Sequence, residues 1–282
     1  MDLTNPTQIK NLLERHSFHF SKAFGQNFLI NPNIPRKIAA ASGADEQTTV
    51  LEIGPGIGCL TEQLSQRAKK VISVEIDDRL IPLLQETLAE RENVRIVQGD
   101  ILTVDLPELL KKEEKVAVCA NLPYNITTPI LTRLLECGVP FSSITVMVQK
   151  EVARRFCAEK GTKDYGAITL FLRYYTKPSY LFDVSAGNFL PRPHVDSAVL
   201  RLDAVAPPVE TDPAQLFRVI RAAFAMRRKT LSNALAPLGV PKERTEQALT
   251  DINLSPSARG ETLGLTEYAA LTERFRKEGF VK

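Results

Sequence analysis

The chain has 282 residues, 44% hydrophobic and 24% charged, which excludes a largely disordered polypeptide and allows about two domains of roughly 150 residues. Lys and Arg total 36 against 33 Asp and Glu, a net charge of +3, so nucleic-acid binding does not follow from total charge and the distribution must be read instead. No window approaches the roughly 18 uninterrupted apolar residues of a membrane span. The N-terminus MDLTNPTQIKNLLERH lacks the apolar stretch of a signal peptide, so a cytoplasmic protein is expected.

From about residue 48 to 150 short β-rich runs alternate with helical stretches. TTVLEIG (48–54) reads as a strand ending in glycine and is followed by a helical CLTEQLSQRA. KVISVEI (70–76) precedes a helical DDRLIPLLQETLAE, and VRIVQGD (94–100) and KVAVCAN (115–121) are two further strands. TTPILTRLLE (127–136) predicts a helix and SITVMVQ (143–149) a strand. Near-continuous Val and Ile strands between helices predict a buried parallel sheet covered on both faces. AITLFLRYYTK (167–177) and SAVLRLD (197–203) read as later, antiparallel strands, separated by the proline-bearing NFLPRPHVD. Ala206-Pro207-Pro208-Val209 is a natural linker, since consecutive prolines stop both helix and ladder. Beyond it PAQLFRVIRAAFAM, KTLSNALAPLG, KERTEQALTDI and TEYAALTERFRKE are helical. The expected division is therefore an α/β domain over 1–205 and an all-helical domain over 206–282.

Cys59, Cys119, Cys137 and Cys157 form no CxxC pair, so buried thiols in a reducing compartment are expected, with neither a disulfide framework nor a metal site. His16, His19 and His194 likewise have no partners at metal or triad spacing. One basic stretch, LFRVIRAAFAMRRKTL (216–231), holds Arg218, Arg221, Arg227, Arg228 and Lys229 with no acid among them.

The chemistry gathers at the strand ends. Gly54, Gly56 and Gly58 turn the first strand into a helix, which lets a nucleotide-like ligand approach the backbone. A dinucleotide fingerprint requires its third glycine where this chain has Cys59. Glu75 ends the second strand, placed for a ribose hydroxyl pair, a use common to NAD and S-adenosylmethionine. Asp100 ends the third, placed for an adenine amine. Glu52, Glu75 and Asp100 make this sheet edge acidic, which suits a sulfonium cation better than a pyrophosphate. For either Glu75 or Asp100 alone, helix N-capping is an equal reading.

The fourth strand ends in Asn121-Leu122-Pro123-Tyr124, where open α/β sheets bind ligands. An adenine amine is a poor nucleophile because its lone pair is delocalised into the ring. Asn121 Oδ1 and the Leu122 carbonyl are the expected acceptors for its two N–H groups, localising that pair. Pro123 stiffens the turn, and Tyr124 offers a face for base stacking.

With these motifs the chain resembles the bacterial small-subunit ribosomal RNA adenine dimethyltransferases, the kasugamycin-sensitivity family. The likeness runs through Phe24-Gly25-Gln26-Asn27-Phe28-Leu29, the glycine loop, Val74-Glu75-Ile76-Asp77, Gly99-Asp100 and Asn121 to Ile126. It continues in Phe189-Leu190-Pro191-Arg192-Pro193, Val195 to Val199 and Arg227 to Asn233. Asn31 departs from the Asp usual in the family after Phe-Leu-Ile. The resemblance implies a Rossmann-like S-adenosylmethionine-dependent methyltransferase domain followed by a small all-helical RNA-contacting domain. It implies cofactor contacts at Asn27, Leu29, Gly54, Glu75, Asp100 and Asn121, and a catalytic set of Asn121, Leu122, Pro123, Tyr124 and a second base-facing aromatic, Phe189. For Phe189 a core position at a strand end is the competing reading. The implied reaction is dimethylation of two adjacent adenosines in a hairpin loop near the 3′ end of 16S ribosomal RNA, within the 30S subunit or its precursor. No membrane and no obligate protein partner are implied. Arg227, Arg228 and Lys229 would supply RNA contacts. If helical, these three would fan around the axis, so at least one is expected to be structural, bridging the two domains. The rival readings are a large-subunit dimethyltransferase of the macrolide-resistance type, an NAD-dependent dehydrogenase and a non-catalytic ribosome assembly factor.

Overall fold

Strands β2 (Thr49–Ile53), β3 (Lys70–Glu75), β4 (Val94–Gln98), β5 (Val116–Asn121) and β6 (Phe141–Gln149) are joined as parallel neighbours, with one register shift between Val116 and Val118 where β5 meets β6. All five residues of β2 and the first five of β5 are buried, so these runs carry no regular polar alternation, although β2 also buries Thr49 and Glu52. The sheet has seven strands in the order β4-β3-β2-β5-β6-β9-β7, with β9 (Ser197–Ala204) antiparallel to β6 and β7 (Thr176–Val184) beyond it. From β2 the chain winds outward through β3 and β4, then returns to place β5 on the other side of β2. The reversal leaves a crevice beyond the carboxyl ends of β2 and β5, the usual ligand site of such sheets. Helices α3 (Cys59–Ser65), α4 (Ile81–Thr87), α5 (Leu106–Leu110) and α6 (Thr127–Glu136) connect the parallel strands.

The computed structural model describes residues 1–21 and 25–281, so Phe24 of the Phe24–Leu29 motif lies outside the described residues. Two elements near the N-terminus go beyond the sequence reading. Helix α1 (Pro6–Arg15) is capped by Asn5, whose side chain accepts from the N–H groups of Thr7 and Gln8, with Pro6 in its first turn. It buries Ile9, Leu12 and Leu13 in a cluster with Ile57 of the glycine loop and Leu80, Leu83 and Leu84. Helix α2 (Asn33–Ala41) buries Ile34, Ile38 and Ala39. Between them β1 (Phe28–Leu29) pairs antiparallel with β8 (Phe189–Leu190).

The chain divides into two units, Met1–Ala153 with Ser179–Ala204, and Arg154–Pro178 with Val205–Lys282. The second unit thus takes in a segment, 154–178, that the sequence division assigned to the first domain. The reason lies in residues 167–175. Expected as a strand, they form helix α8 (Ala167–Tyr175), which follows α7 (Lys150–Phe156) and leads straight into β7. The run is rich in β-formers, yet Phe171 and Tyr174 pack on Phe217 of α9 (Pro213–Ala225), with ring centroids 5.1 and 5.3 Å apart. Tertiary packing here overrides local propensity. The unit is completed by α10 (Leu231–Ala234), α11 (Lys242–Asp251) and α12 (Leu265–Lys277). Inside it the Tyr165 hydroxyl donates to the Leu263 carbonyl and the Tyr268 hydroxyl to that of Gly260, both at 3.0 Å.

The basic stretch also differs from a continuous helix. Helix α9 ends at Ala225, so Arg227, Arg228 and Lys229 lie in the following turn, and all three are exposed. Arg227 donates to the backbone carbonyls of Lys163 and Tyr165, both in its own unit. Arg227 is thus held as a structural residue, as one of the three was expected to be, by a segment that the sequence division had assigned to the first domain. Arg218 and Arg221 line the exposed face of α9. No helix among the described residues is long and apolar enough to cross a membrane.

Candidate active site

A cavity of about 990 Å³, its open mouth included, lies at the switch point between β2 and β5. The glycine loop forms its floor. Gly54 has φ +64° and a Cβ there would meet nothing within 4 Å, so the loop presents bare backbone to open space. Gly56, at φ +61°, passes so close to Phe28 that a Cβ would sit 3.1 Å from its ring. The Gly56 N–H also points at Glu75 Oε2, 3.4 Å away.

Glu75 does not cap a helix; Asp77 does so, accepting from the Arg79 N–H. The Glu75 Oε1 instead accepts from the Asp77 N–H at 2.9 Å, and burial pushes the Glu75 pKa up to about 6. Asp100 does serve local structure with one oxygen, Oδ1, which accepts from the Leu102 N–H at 2.9 Å in a turn. Its Oδ2 has no hydrogen-bond partner among the described residues, and Asp100 lines the cavity. Asn27, just before β1, and Leu29, in β1, line the same cavity.

Asn121 and Tyr124 meet the cavity at the end of β5. Asn121 Nδ2 donates to the Asn27 carbonyl at 3.3 Å, which sets the amide so that Oδ1 remains free to accept. The Leu122 N–H donates to the Met147 carbonyl at 3.1 Å, while the Leu122 carbonyl has no donor among the described residues. Pro123 holds the turn through its own carbonyl, which accepts from Thr127 Oγ1 at 3.0 Å. Two free acceptors therefore stand on consecutive residues beside an aromatic ring.

Phe189 is placed differently from the base-facing ring expected of it. It is 2% exposed, pairs with Leu29 through β8 and packs in the core with Val184 and Val199, away from the cavity lining. This core position is the one its competing reading describes. Asn31, the departure from the family pattern, serves local structure, because its Nδ2 donates to Asn188 Oδ1 at 2.8 Å.

Sequence reasoning missed several contributors. Ile76 lines the cavity although it is 48% exposed, an apolar side chain directly after the acid of β3. Gln26 donates to Asp77 Oδ2 at 2.7 Å and so ties the Gly25–Leu29 segment to the end of β3. Asp77 is buried and salt-bridged to Arg79, whose guanidinium lies 5.1 Å from the Phe18 ring centroid. Only the Val-Glu-Ile-Asp spacing hints at a second acid here.

Glu52, expected as one of three charges on an acidic edge, is 1% exposed, and burial pushes its pKa up to about 7. The Ser73 hydroxyl donates to its Oε2 at 2.7 Å. A carboxyl ordinarily titrating at 4.5 that keeps its proton to about 7 makes the fold less stable as pH rises between those values, because only the unfolded chain releases the proton. Glu52→Gln should therefore leave stability at pH 4 nearly unchanged. At pH 8 it should add up to roughly 3 kcal/mol. Thermal unfolding of the cofactor-free protein checks this, and equal stabilities at pH 8 would refute it.

Comparisons with known proteins show the family of the chain. The family model described as "Ribosomal RNA adenine dimethylase" matches residues 17–272. A protein named ribosomal RNA small subunit methyltransferase A from Geobacillus sp. (strain WCH70) is 46% identical over 281 residues, 96% of this chain and 97% of that one. Its namesake from Enterococcus faecalis is 42% identical over 286 residues, covering 98% and 97%. Among solved structures, a dimethyladenosine transferase from Plasmodium falciparum aligns with a TM-score of 0.79 at 28% identity, over 90% of this chain and 98% of that one. The 23S rRNA methyltransferase ErmE aligns at 0.68 and 29%, over 88% and 99%. The glycine loop, the acids of β3 and Asp100 and the Asn121–Tyr124 turn thus stand in a chain that belongs to the ribosomal RNA adenine dimethylase family.

Proposed function

We propose that this protein transfers methyl groups from S-adenosylmethionine to the exocyclic amines of two adjacent adenosines near the 3′ end of 16S ribosomal RNA, dimethylating each. Its relatives' name, small subunit methyltransferase, supports the small-subunit substrate over the large-subunit one. The substrate is then RNA in the 30S particle or its precursor, the place of action the cytoplasm, and the consequence a step in small-subunit maturation.

The donor set fits the cofactor. Glu75 and Asp100 offer acceptors for hydroxyl and amine groups, and Gly54 leaves its backbone open to a ligand. Asn27, Leu29 and Asn121 line the same cavity. S-adenosylmethionine supplies a methyl carbon on a positively charged sulfur. The chain's own work is to hold the amine in line with that carbon, so positioning and fixed dipoles provide most of the rate. Asn121 Oδ1 and the Leu122 carbonyl accept the two amine hydrogens, which favours a pyramidal nitrogen with its lone pair localised. The Tyr124 ring stacks on the base, worth about 1–3 kcal/mol. Once methylated, the nitrogen loses its proton to water, so no general base is required. The observation that carries the reading is the engaged Asn121 Nδ2, because it leaves the acceptor and not the donor for substrate.

The test is incubation with radiolabelled S-adenosylmethionine and unmethylated 30S particles, followed by nucleoside analysis. N6,N6-dimethyladenosine is the expected product, and label in another nucleoside, or in none, would refute the proposal. The same particles test the RNA surface. With Arg227 engaged to carbonyls, Arg228 and Lys229 are the members left to meet phosphates. Changing either to Gln should flatten the salt dependence of particle binding by about one unit of slope. Wild-type slopes in both variants would place the RNA surface elsewhere.

A further inference from the structure

Tyr124 carries a hydroxyl that base stacking does not need, because a phenylalanine ring offers the same face. Its Oη nevertheless lies 2.6 Å from Ser197 Oγ. Ser197 is completely buried and is the first residue of β9, in register with Gln149 of β6. The residue before it is pinned twice: Asp196 Oδ1 accepts from the Ala186 N–H at 2.9 Å, and its carbonyl accepts from the Lys150 N–H at 3.0 Å. Ser197 is thus a fixed point on the sheet, while Tyr124 is a half-buried side chain on a turn at the cavity mouth. Burial raises the Tyr124 pKa above its ordinary value of 10, which keeps the phenol protonated and able to donate.

We propose that Ser197 is a positioning residue for methyl transfer, its hydroxyl fixing the direction in which Tyr124 presents its ring to the target adenine. This rests on the reading above, in which Tyr124 stacks on the base. The phenolic oxygen lies on the long axis of the ring, so a bond to it fixes where that axis points and selects one χ1 well. Because a phenolic O–H prefers the ring plane, the same bond also biases the ring's rotation about that axis. Without it the ring is free to visit other staggered positions. The adenine still binds, but a smaller fraction of bound bases stands in line for attack, and misplacements of about 1 Å cost up to a hundredfold in rate. The effect therefore belongs in turnover and not in affinity. A hydroxyl with a purely structural role would instead lower the melting temperature and leave turnover at permissive temperature alone.

Three variants separate these outcomes: Ser197→Ala, Tyr124→Phe and the two combined, assayed on unmethylated 30S particles with saturating S-adenosylmethionine. Each single change should lower kcat about tenfold while KM for the particle stays within about threefold. The double variant should be no slower than either single one, because both changes remove the same bond. A Ser197→Ala kcat within about twofold of wild type overturns the proposal, as does a double variant that loses the product of the two single losses. Should Ser197→Ala fail to fold, Tyr124→Phe leaves β9 untouched and reads the same bond, and near-wild-type turnover there is equally fatal. If the wild-type protein transfers no methyl to adenine in these particles, the reaction reading falls and this proposal with it. Wild-type transfer with unaffected variants removes only the role of Ser197.

Discussion

Asn121→Ala is expected to slow methyl transfer by about a hundredfold or more while changing the affinity for 30S particles little. The amide is held by its donation to the Asn27 carbonyl, so Oδ1 is preorganised before substrate arrives. Its hydrogen bond matters most when the amine nitrogen pyramidalises, because the N–H groups become more acidic as the lone pair enters a new bond. Removing a positioned group of this kind takes stabilisation from the transition state and little from the ground state. Affinity for RNA is set in general mainly by phosphate contacts, and Asn121→Ala removes no positive charge. Single-turnover rates measured beside equilibrium binding separate the two effects. A rate within a few-fold of wild type would reduce Asn121 to a turn residue.

Glu75→Ala should weaken S-adenosylmethionine binding by about 5- to 150-fold, the equivalent of 1–3 kcal/mol for a buried hydrogen bond lost to a polar ligand group. The carboxylate acts in two ways at once, because it lines the cavity and also accepts from the backbone of Gly56 and Asp77. Losing it therefore removes a ligand acceptor and loosens the glycine loop. Asp100→Ala should act in the same direction and less strongly, since the Asp100 side chain is less deeply buried and only its Oδ2 is free. Calorimetric titration with the cofactor measures both, and unchanged affinities would overturn these assignments. At saturating cofactor both variants should regain most of their turnover, which sets them apart from Asn121→Ala.

Much of this molecule was legible without coordinates. The strands over 49–53, 70–75 and 116–121 announce themselves as short, largely apolar runs rich in β-branched residues without regular polar alternation, because a strand buried on both faces has no solvent side to mark. A glycine turn after β2, acids at the ends of β3 and β4 and an Asn-Leu-Pro-Tyr turn after β5 then fall at carboxyl ends of parallel strands, so they share one edge whatever the side-chain details. Helix α1 was legible in principle, through Asn5 and Pro6 at its start.

Other features were decided only in three dimensions. Residues 167–175 have the composition of a strand and become a helix because Phe171 and Tyr174 find Phe217. Arg227 has the look of a phosphate ligand in the sequence and is anchored by carbonyls 62 and 64 residues away. Phe189 sits in the core on β8, paired with Leu29 of β1, a placement its motif does not announce. The contacts that orient the site, Asn121 to Asn27 across 94 residues, Tyr124 to Ser197 across 73 and Gln26 to Asp77 across 51, leave no periodic trace. Hydrophobic spacing reports the faces of single elements, since burial repeats along the chain with the pitch of the element. A hydrogen bond between distant side chains depends on strand order and register, which arise only when the whole sheet has closed.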